Sequence, residues 1–471
     1  MNFLIINGSP KGDYSCTLHT LLYLEKVYNM HKFEIINVGQ KIKVIEKDMT
    51  DVIEKINKAD ALIFSYPVYT FIAPSQLHRF IELLKENNVN LENKFVTQVT
   101  TSKHFYDMTA HKYIEDNCYD FKMKYVKGLS ADMEDLTKKE GQADAINFFE
   151  YFVSCIENDI YEVVPNRVIN KPKEYECSIY NVQKNEEKEV VIVADITEND
   201  KDLINMIVDF QNGLPFKSRI VNINEFPFSG GCLGCFNCAG DGKCIYKDNF
   251  DTYLRENIQK ADAIVIAFSI KDHSMGARFK MYDDRQFCNG HRTVTEGMPF
   301  GYIINGDYEN EFNLKTIVEA RAEVGHNFLA GVGYNKETIV STINKLTYAI
   351  NNNYVQPRNF YGIGGMKIFR DLIWVMRGIM KADHVYYKKH GVYDFPQKKR
   401  GQMVLMCFLG SMVRNKRIKA KMGNKFNEGM IAPYKKVIDK YNKKIKYLIE
   451  FKEINFKINF LFFKKKIMQY N

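Results

Sequence analysis

Four of the chain's ten cysteines, Cys232, Cys235, Cys238 and Cys244, fall within thirteen residues. Thiolates this close together can fold round one metal centre. Gly231, Gly234, Gly240 and Gly242 around and between them leave the backbone free to wrap. In a reducing compartment such thiols stay unpaired, so metal is expected over disulfides. Structural zinc also takes four cysteines, and bare thiols are the third possibility. A second chemical signal opens the chain. The apolar run from Phe3 ends in Asn7-Gly8-Ser9-Pro10-Lys11-Gly12, and Ser15 and Thr17 begin the helical pattern that follows. N–H groups at a helix start are unpaired and the dipole is positive there, which favours an anion. Gly8 and Gly12 let the backbone come close, and three hydroxyls can donate to phosphate oxygens. The competing reading is a strand-to-helix turn with a serine cap.

Two further loops follow strand-like runs. Tyr66-Pro67-Val68-Tyr69-Thr70 comes after Ala61 to Ser65, and Thr100 to Asp107 comes after Lys94 to Val99. Ligands of open α/β sheets bind at these carboxyl edges. The three loops in this order resemble the NADPH-dependent FMN reductase branch of the flavodoxin-like family over roughly residues 1–160. The resemblance implies FMN, its phosphate on the loop of Ser9, Lys11, Ser15, Cys16 and Thr17. Cys16 stands where the family has Asn. It implies Pro67, Val68, Tyr69 and Thr70 along the isoalloxazine ring, and Thr100, Thr101, Ser102 and Phe105 in the third flavin-contacting loop. His104, at the mouth of such a site, could donate a proton to a reduced substrate, with loop packing as the alternative. Asp107 and His111 read as packing residues. The cysteine spacing resembles that of iron–sulfur flavoproteins, which implies a 4Fe-4S cluster on Cys232, Cys235, Cys238 and Cys244.

Elements that could position these residues recur twice. Residues 1–164 alternate short apolar runs with helical patterns, which predicts a doubly wound parallel sheet. Residues 165–188 are polar and read as a linker. The alternation restarts over 189–352, and KADALIFSYPVY in the first half is echoed by KADAIVIAFSIK in the second. Two tandem flavodoxin-like α/β domains are therefore expected, followed by a basic, mainly helical extension over 353–471. The second domain departs from the flavin pattern. Its first loop, Asp195 to Asp200, has no glycine and three acids, which would repel a phosphate, and Ser269 to Ser274 replaces the Pro-x-Tyr loop. Lys280 to Arg285 still matches the family's K-x-x-x-D-R. Fusion of two such domains could reproduce a family dimer within one chain, with the cysteine loop near the first domain's flavin.

Charge is uneven. Residues 366–471 hold 26 Lys+Arg against 7 Asp+Glu, leaving residues 1–365 at −10 within a chain of +9. A basic tail suggests docking on the acidic body, an acidic ferredoxin-like partner or an anionic membrane surface. No groove-reading motif points to nucleic acid. No apolar run is long enough to span a bilayer, and MNFLIINGSP has neither a basic start nor a cleavage site, so a cytoplasmic protein is expected. The function implied is an FMN-dependent NAD(P)H oxidoreductase acting on a small electron acceptor of quinone, nitro, enone or flavin type. The alternative is an electron carrier paired with ferredoxin or a separate reductase.

Overall fold

The structure, a computed structural model, describes residues 1–165, 175, 177, 182–415, 417–418, 428–429, 431–440, 442–443 and 445–447. Most of the basic run 414–425, the run 464–466 and much of the polar stretch 165–188 lie outside these residues. In chain order the first domain comprises β1 (Asn2–Asn7), α1 (Cys16–Val27), β2 (Lys32–Ile36), α2 (Val38–Ile45), α3 (Thr50–Lys58), β3 (Ala61–Pro67), α4 (Ser75–Glu86), β4 (Phe95–Ser102), α5 (Asp107–Asp120), β5 (Lys124–Tyr125), β6 (Leu129–Asp132) and α6 (Lys139–Glu157). The second comprises β7 (Asn185–Ala194), α7 (Lys201–Gly213), β8 (Phe216–Asn222), α8 (Cys238–Asp241), α9 (Phe250–Tyr253), β9 (Ala263–Ser269), α10 (Gly276–Arg285), β10 (Pro299–Asn305), α11 (Phe312–Gly325), β11 (Phe328–Gly333) and α12 (Lys336–Asn352). Helices α13 (Phe360–Val375), α14 (Lys381–Lys389) and α15 (Arg400–Arg414) follow.

Both sheets are parallel and share one strand order. The first runs β2-β1-β3-β4-β5, with β6 also pairing β4. The second runs β11-β10-β9-β7-β8, the same 2-1-3-4-5 permutation read from the other edge. This is the flavodoxin-like doubly wound order, whose ligand crevice opens where the order reverses, between β1 and β3 and between β7 and β9. The central strands form because they can be buried on both faces: Phe3 to Ile6 and Ala61 to Ile63 are at most 1 % exposed. Burying each such Ile, Leu or Phe contributes about 1.5–3 kcal/mol. The polar stretch ends sooner than its composition implied. β7 begins at Asn185, with Glu186 and Glu187 exposed on the ladder's frayed start.

One compact unit spans Met1–Val392 and a second spans Tyr393–Asn471, so α13 and α14 group with the sheets and not with the rest of the basic extension. Within the first unit the outer face of each sheet has its own core. Leu18, Leu21, Phe149 and Phe152 cover the first sheet, and Leu203, Phe210, Ile339 and Leu346 cover the second. The inner faces share a single core. It takes Leu77, Phe80 and Tyr113 from one domain and Phe279, Tyr282 and Ile317 from the other.

Helices that follow equivalent strands meet there: α4 packs on α10, and α5 on α11. That is the isologous arrangement of a two-fold dimer, realised inside one chain. The ends of α4 and α10 cap one another. Asp284 Oδ2 accepts from Ser75 N–H at 2.8 Å, and Glu82 Oε1 accepts from Ala277 N–H at 2.7 Å. Each carboxylate thereby meets unpaired donors at the positive end of the partner helix. Asp272, from the second domain, accepts from Tyr113 hydroxyl at 2.7 Å and pairs with His78 Nδ1 at 2.6 Å; His78 beside it drives its carboxyl down to about 2, against the effect of burial.

His273 bridges the domains at the edge of this interface, 3.0 Å from Asp120 and 2.8 Å from Glu311. Burial opposes its charge, but the two carboxylates outweigh it and raise the imidazole to about 9. The folded value lies above the unfolded one. The stabilisation is therefore complete below about pH 6.5 and lost as pH rises through about 9. Thermal melts between those limits should fall with pH for the native chain, and His273→Ala should flatten that limb. An unchanged slope in the variant would remove His273 as its source.

Candidate functional site

The carboxyl edge of the first sheet is built from strand ends aligned by register. Asn7 lies beside Ser65, Ser65 beside Val99, and Pro67 beside Thr101. Asn7, Ser65 and Thr101 continue the strand faces of Ile5, Ile63 and Val99, which pack under α1. Polar side chains thus collect below the start of that helix. Thr17 and Thr101 hydroxyls are 2.6 Å apart, and Ser65 Oγ is buried without a partner among the described residues. Ser15 caps α1 by accepting from Leu18 N–H, so the first-turn N–H groups of Cys16 and Thr17 face the loop. Ser65 escaped the sequence reading; the signal was a lone hydroxyl at the end of an apolar strand.

The loop itself is tightly folded. Asn7 Nδ2 donates to Gly12 O at 3.0 Å, Asn7 Oδ1 accepts from Ser9 N–H at 3.2 Å, and Ser9 Oγ accepts from Lys11 N–H at 3.3 Å. Gly39 of α2 supports it from behind: a Cβ there would meet Gly8 O and Ser9 O at 2.4 Å. Ser9, Ser15 and Thr17 are buried, whereas Cys16 is exposed at the helix start.

The second loop is strained and clamped. Thr70 and Phe71 adopt φ of +41° and +76°, a region that costs bulky residues about 1–3 kcal/mol each and persists where surroundings over-determine it. The clamp comes from α10 of the other domain. Lys280 Nζ donates to Tyr69 O at 3.0 Å and to Thr70 Oγ1 at 2.6 Å, and pairs with Asp284. Asp284 in turn accepts from Thr70 Oγ1 at 3.0 Å and Ser75 N–H. Lys280 and Asp284 are both fully buried, and burial raises the Asp284 carboxyl against the pull of Lys280. Pro67, Val68, Tyr69 and Thr70 remain partly exposed along the crevice.

In the third loop Thr100 Oγ1 pairs with His111 Nε2 at 2.8 Å, and burial lowers that imidazole to about 4. Ser102 Oγ accepts from His104 N–H at 2.8 Å. His104 lies half-exposed at φ +55°, its Nδ1 fixed by Asp107 Oδ2 at 2.8 Å. Asp107 also accepts from Ser130 hydroxyl at 2.7 Å, and these bonds outweigh burial to lower its carboxyl. Phe105 follows, partly exposed. Its ring packs 4.4 Å from Phe369 of α13 and 5.3 Å from Phe71, so it works as an anchor for α13.

The cysteine loop of the second domain sits against these first-domain loops. Gln76 Nε2 donates to Cys232 O at 3.2 Å, Lys11 Nζ lies 5.1 Å from the Phe236 ring, and Tyr69 hydroxyl occupies the space a Cβ on Gly234 would take. Arg285, the last residue of α10, ties down the loop's base. It donates to Gly230 O at 2.9 Å and to both Asp248 oxygens at 2.7 and 2.8 Å. One helix thus holds the strained Tyr69–Thr70 turn with Lys280 and Asp284, and the cysteine loop with Arg285.

The four thiols are chemically suited to a metal centre, but their placement does not form one. Among the described residues no three His, Cys, Asp or Glu side chains come together as ligands. Cys238 Sγ–H donates to Phe287 O at 3.2 Å, and Cys235 is exposed. Burial pushes Cys232 up to about 12 and Cys238 up to about 11, which keeps both as thiols. The spacing of Cys232, Cys235, Cys238 and Cys244 is therefore not matched by convergence of their sulfurs.

The equivalent edge of the second domain carries an ion pair. Gly8 N–H bonds Ser65 O in the first domain, and Asp195 N–H bonds Ala267 O at the matching place in the second. Asp195 is buried and pairs with Lys271 Nζ at 3.0 Å. A buried carboxylate thus stands where the first domain has Gly8, and its charge would repel a phosphate.

Residues 1–130 match the NADPH-dependent FMN reductase family. A stretch of 69 residues is 33 % identical to an iron-sulfur flavoprotein of Clostridioides difficile (strain 630), covering 14 % of this chain and 31 % of that protein. The chain thus spans under a third of the length of the curated relative it matches. Among solved structures, an NADPH-quinone reductase from P. pentosaceus is 16 % identical over 32 % of this chain and 97 % of its own, with a TM-score of 0.27. A flavoenzyme NAD(P)H:(acceptor) oxidoreductase from Paracoccus denitrificans is 14 % identical over 33 % of this chain and 97 % of its own, also with a TM-score of 0.27.

Proposed function

We propose, from the family match over residues 1–130, that the first domain binds FMN and that the chain is an NAD(P)H-dependent oxidoreductase reducing a small electron acceptor. The observation that carries this reading is the convergence of three loops on the crevice beside β1 and β3. Ser9, Lys11, Ser15, Cys16 and Thr17 would hold the phosphate, with Ser65 Oγ as a further donor from below. Pro67, Val68, Tyr69, Thr70, Thr100, Thr101 and Ser102 would border the ring. FMN, when bound, accepts a hydride and passes its electrons on. The chain's own contribution is to hold the turn rigid through Lys280 and Asp284, to wall the crevice with the cysteine loop, and to offer a proton from His104, whose ring Asp107 orients.

A second reading, an electron carrier, is favoured by the contact of the cysteine loop with Lys11, Tyr69 and Gln76. An iron–sulfur cluster on Cys232, Cys235, Cys238 and Cys244 belongs to that reading. It is supported by the cysteine spacing and by the likeness to the iron-sulfur flavoprotein of Clostridioides difficile.

The test is an absorption spectrum of protein purified without oxygen and supplied with FMN, with iron and zinc assayed on the same sample, followed by NAD(P)H oxidation with a quinone. Flavin bands and turnover without a partner protein are expected. His104→Gln should slow acceptor reduction about tenfold, since solvent can partly replace an exposed acid, while reduction of the flavin by NAD(P)H stays unchanged. Flavin bands with turnover only in the presence of a separate reductase would favour the carrier. Failure to take up FMN would remove the proposal.

A further inference from the structure

Helix α15 combines two properties that a solvated surface helix does not. From Gly401 to Val413 it carries no charged residue. Met403, Val404, Leu405, Met406 and Phe408 are nonetheless 51–70 % exposed, and Cys407 beside them is exposed. Residues 403–409 are consecutive and apolar, so at 3.6 residues per turn they cover the whole circumference, not one stripe. A helix apolar all round is normally buried in a core or in lipid. Its flanks are strongly basic: residues 395–427 contain nine Lys or Arg and no Asp or Glu.

We infer that α15 is a membrane-surface element that inserts in the plane of an anionic lipid bilayer, with its flanking cations at the phosphate level. Three arguments select this occupant. Fifteen residues rise about 22 Å, short of the ~30 Å hydrocarbon core, so the helix lies in the interface and does not cross. No described helix is long and apolar enough to span. A second copy of the segment would bring nine more cations beside the first nine, which opposes self-association. An acidic protein would meet the cations but would offer a groove to one side of the helix only. Lipid can surround an apolar helix while its headgroups neutralise both flanks.

The test uses the full chain with vesicles of phosphatidylcholine alone or mixed with phosphatidylglycerol, read by flotation. The mixed vesicles should bind about tenfold more tightly than the neutral ones, and the difference should shrink at high salt. Leu405→Asp with Phe408→Asp should abolish flotation while leaving NAD(P)H oxidation and the thermal midpoint of the Met1–Val392 unit unchanged. Phe408→Trp supplies a readout independent of partitioning: its emission, corrected for Trp374, should shift to the blue with mixed vesicles. No flotation with either lipid, or binding to an acidic protein such as a ferredoxin in place of vesicles, would overturn the inference. So would equal binding to neutral lipid, or flotation that survives both aspartates.

Discussion

Lys280→Met is expected to destabilise the Met1–Val392 unit by about 3–5 kcal/mol, because it strands a fully buried carboxylate. Asp284 has three partners in the structure: Lys280, Thr70 hydroxyl and Ser75 N–H. Asp283 lies beside it, and its charge already raises the Asp284 carboxyl. Removing the ammonium leaves two neighbouring buried acids with Arg321 as their remaining cationic partner among the described residues. The damage should also reach the crevice. Tyr69 O keeps Ile72 N–H but loses the ammonium, Thr70 Oγ1 loses it too, and the positive-φ turn at Thr70 and Phe71 loses the contact that makes its strain tolerable. Urea and thermal unfolding, with FMN titration on the same protein, measure both effects. Adding Asp284→Asn to Lys280→Met separates charge from shape: the amide oxygen still accepts from Ser75 N–H, and no stranded charge remains. Most of the lost stability should return in the double variant, while the Tyr69–Thr70 turn stays loose and FMN affinity stays low. If the double variant is no more stable than the single one, the penalty lies in packing and not in electrostatics.

The clamp also marks where sequence reasoning stopped. The central strands were legible because Phe3 to Ile6 and Ala263 to Phe268 are apolar without interruption, and two-sided burial is the only environment that suits such runs. Edge strands were not. In β2 and β8, Lys32, Lys217 and Ile220 face solvent, so neither the apolar run nor a clean alternation is present. Helix α10 is the instructive case. Half of its Gly-Ala-Arg-Phe-Lys-Met-Tyr-Asp-Asp-Arg is charged, yet Lys280, Asp283, Asp284 and Arg285 are at most 2 % exposed. Periodicity cannot reveal that. Lys280 and Asp284 meet Tyr69, Thr70 and Ser75 of the first domain, while Asp283 meets Arg321 and Arg285 meets Asp248, and pairing between residues so far apart in sequence leaves no local trace. The K-x-x-x-D-R pattern was recognisable, but its task, holding one domain's turn and the other's cysteine loop, became visible only with both domains in place. The candidate site divides the same way. The turn residues Ser9 to Thr17 and Pro67 to Thr70 announce themselves by glycine, proline and hydroxyl chemistry at strand ends. Ser65 and Gly39 matter through what stands next to them, and Phe105 packs on an aromatic partner more than 260 residues along the chain.

Gly39→Ala should weaken FMN binding by about tenfold to a hundredfold, equivalent to about 1–3 kcal/mol, with a smaller change in overall fold. The added methyl would fall 2.4 Å from Gly8 O, Ser9 C and Ser9 O, all backbone atoms that cannot rotate away. Retreat of α2 is blocked by Val38, which is fully buried beside it, and by Ile45 at the helix's far end. The softer element is the loop, held by hydrogen bonds and not by packed side chains: Asn7 bonds Gly12 O and Ser9 N–H, and Ser9 bonds Lys11 and Gly12 N–H. Moving it carries Ser9 and Lys11 away from the start of α1 and spoils the arrangement of donors that suits an anion there. The second domain carries the buried carboxylate of Asp195 at the equivalent strand end, which disfavours a phosphate there. Gly364→Ala is the matched control. It adds the same methyl within α13, meets nothing within 4 Å, and should leave FMN affinity unchanged while stabilising its helix by about 0.5–1 kcal/mol. Titration of FMN by fluorescence quenching in the two variants therefore isolates the loop. Equal affinities would mean that the anion is held elsewhere along the crevice, with Ser65 and Thr101 as the next residues to test.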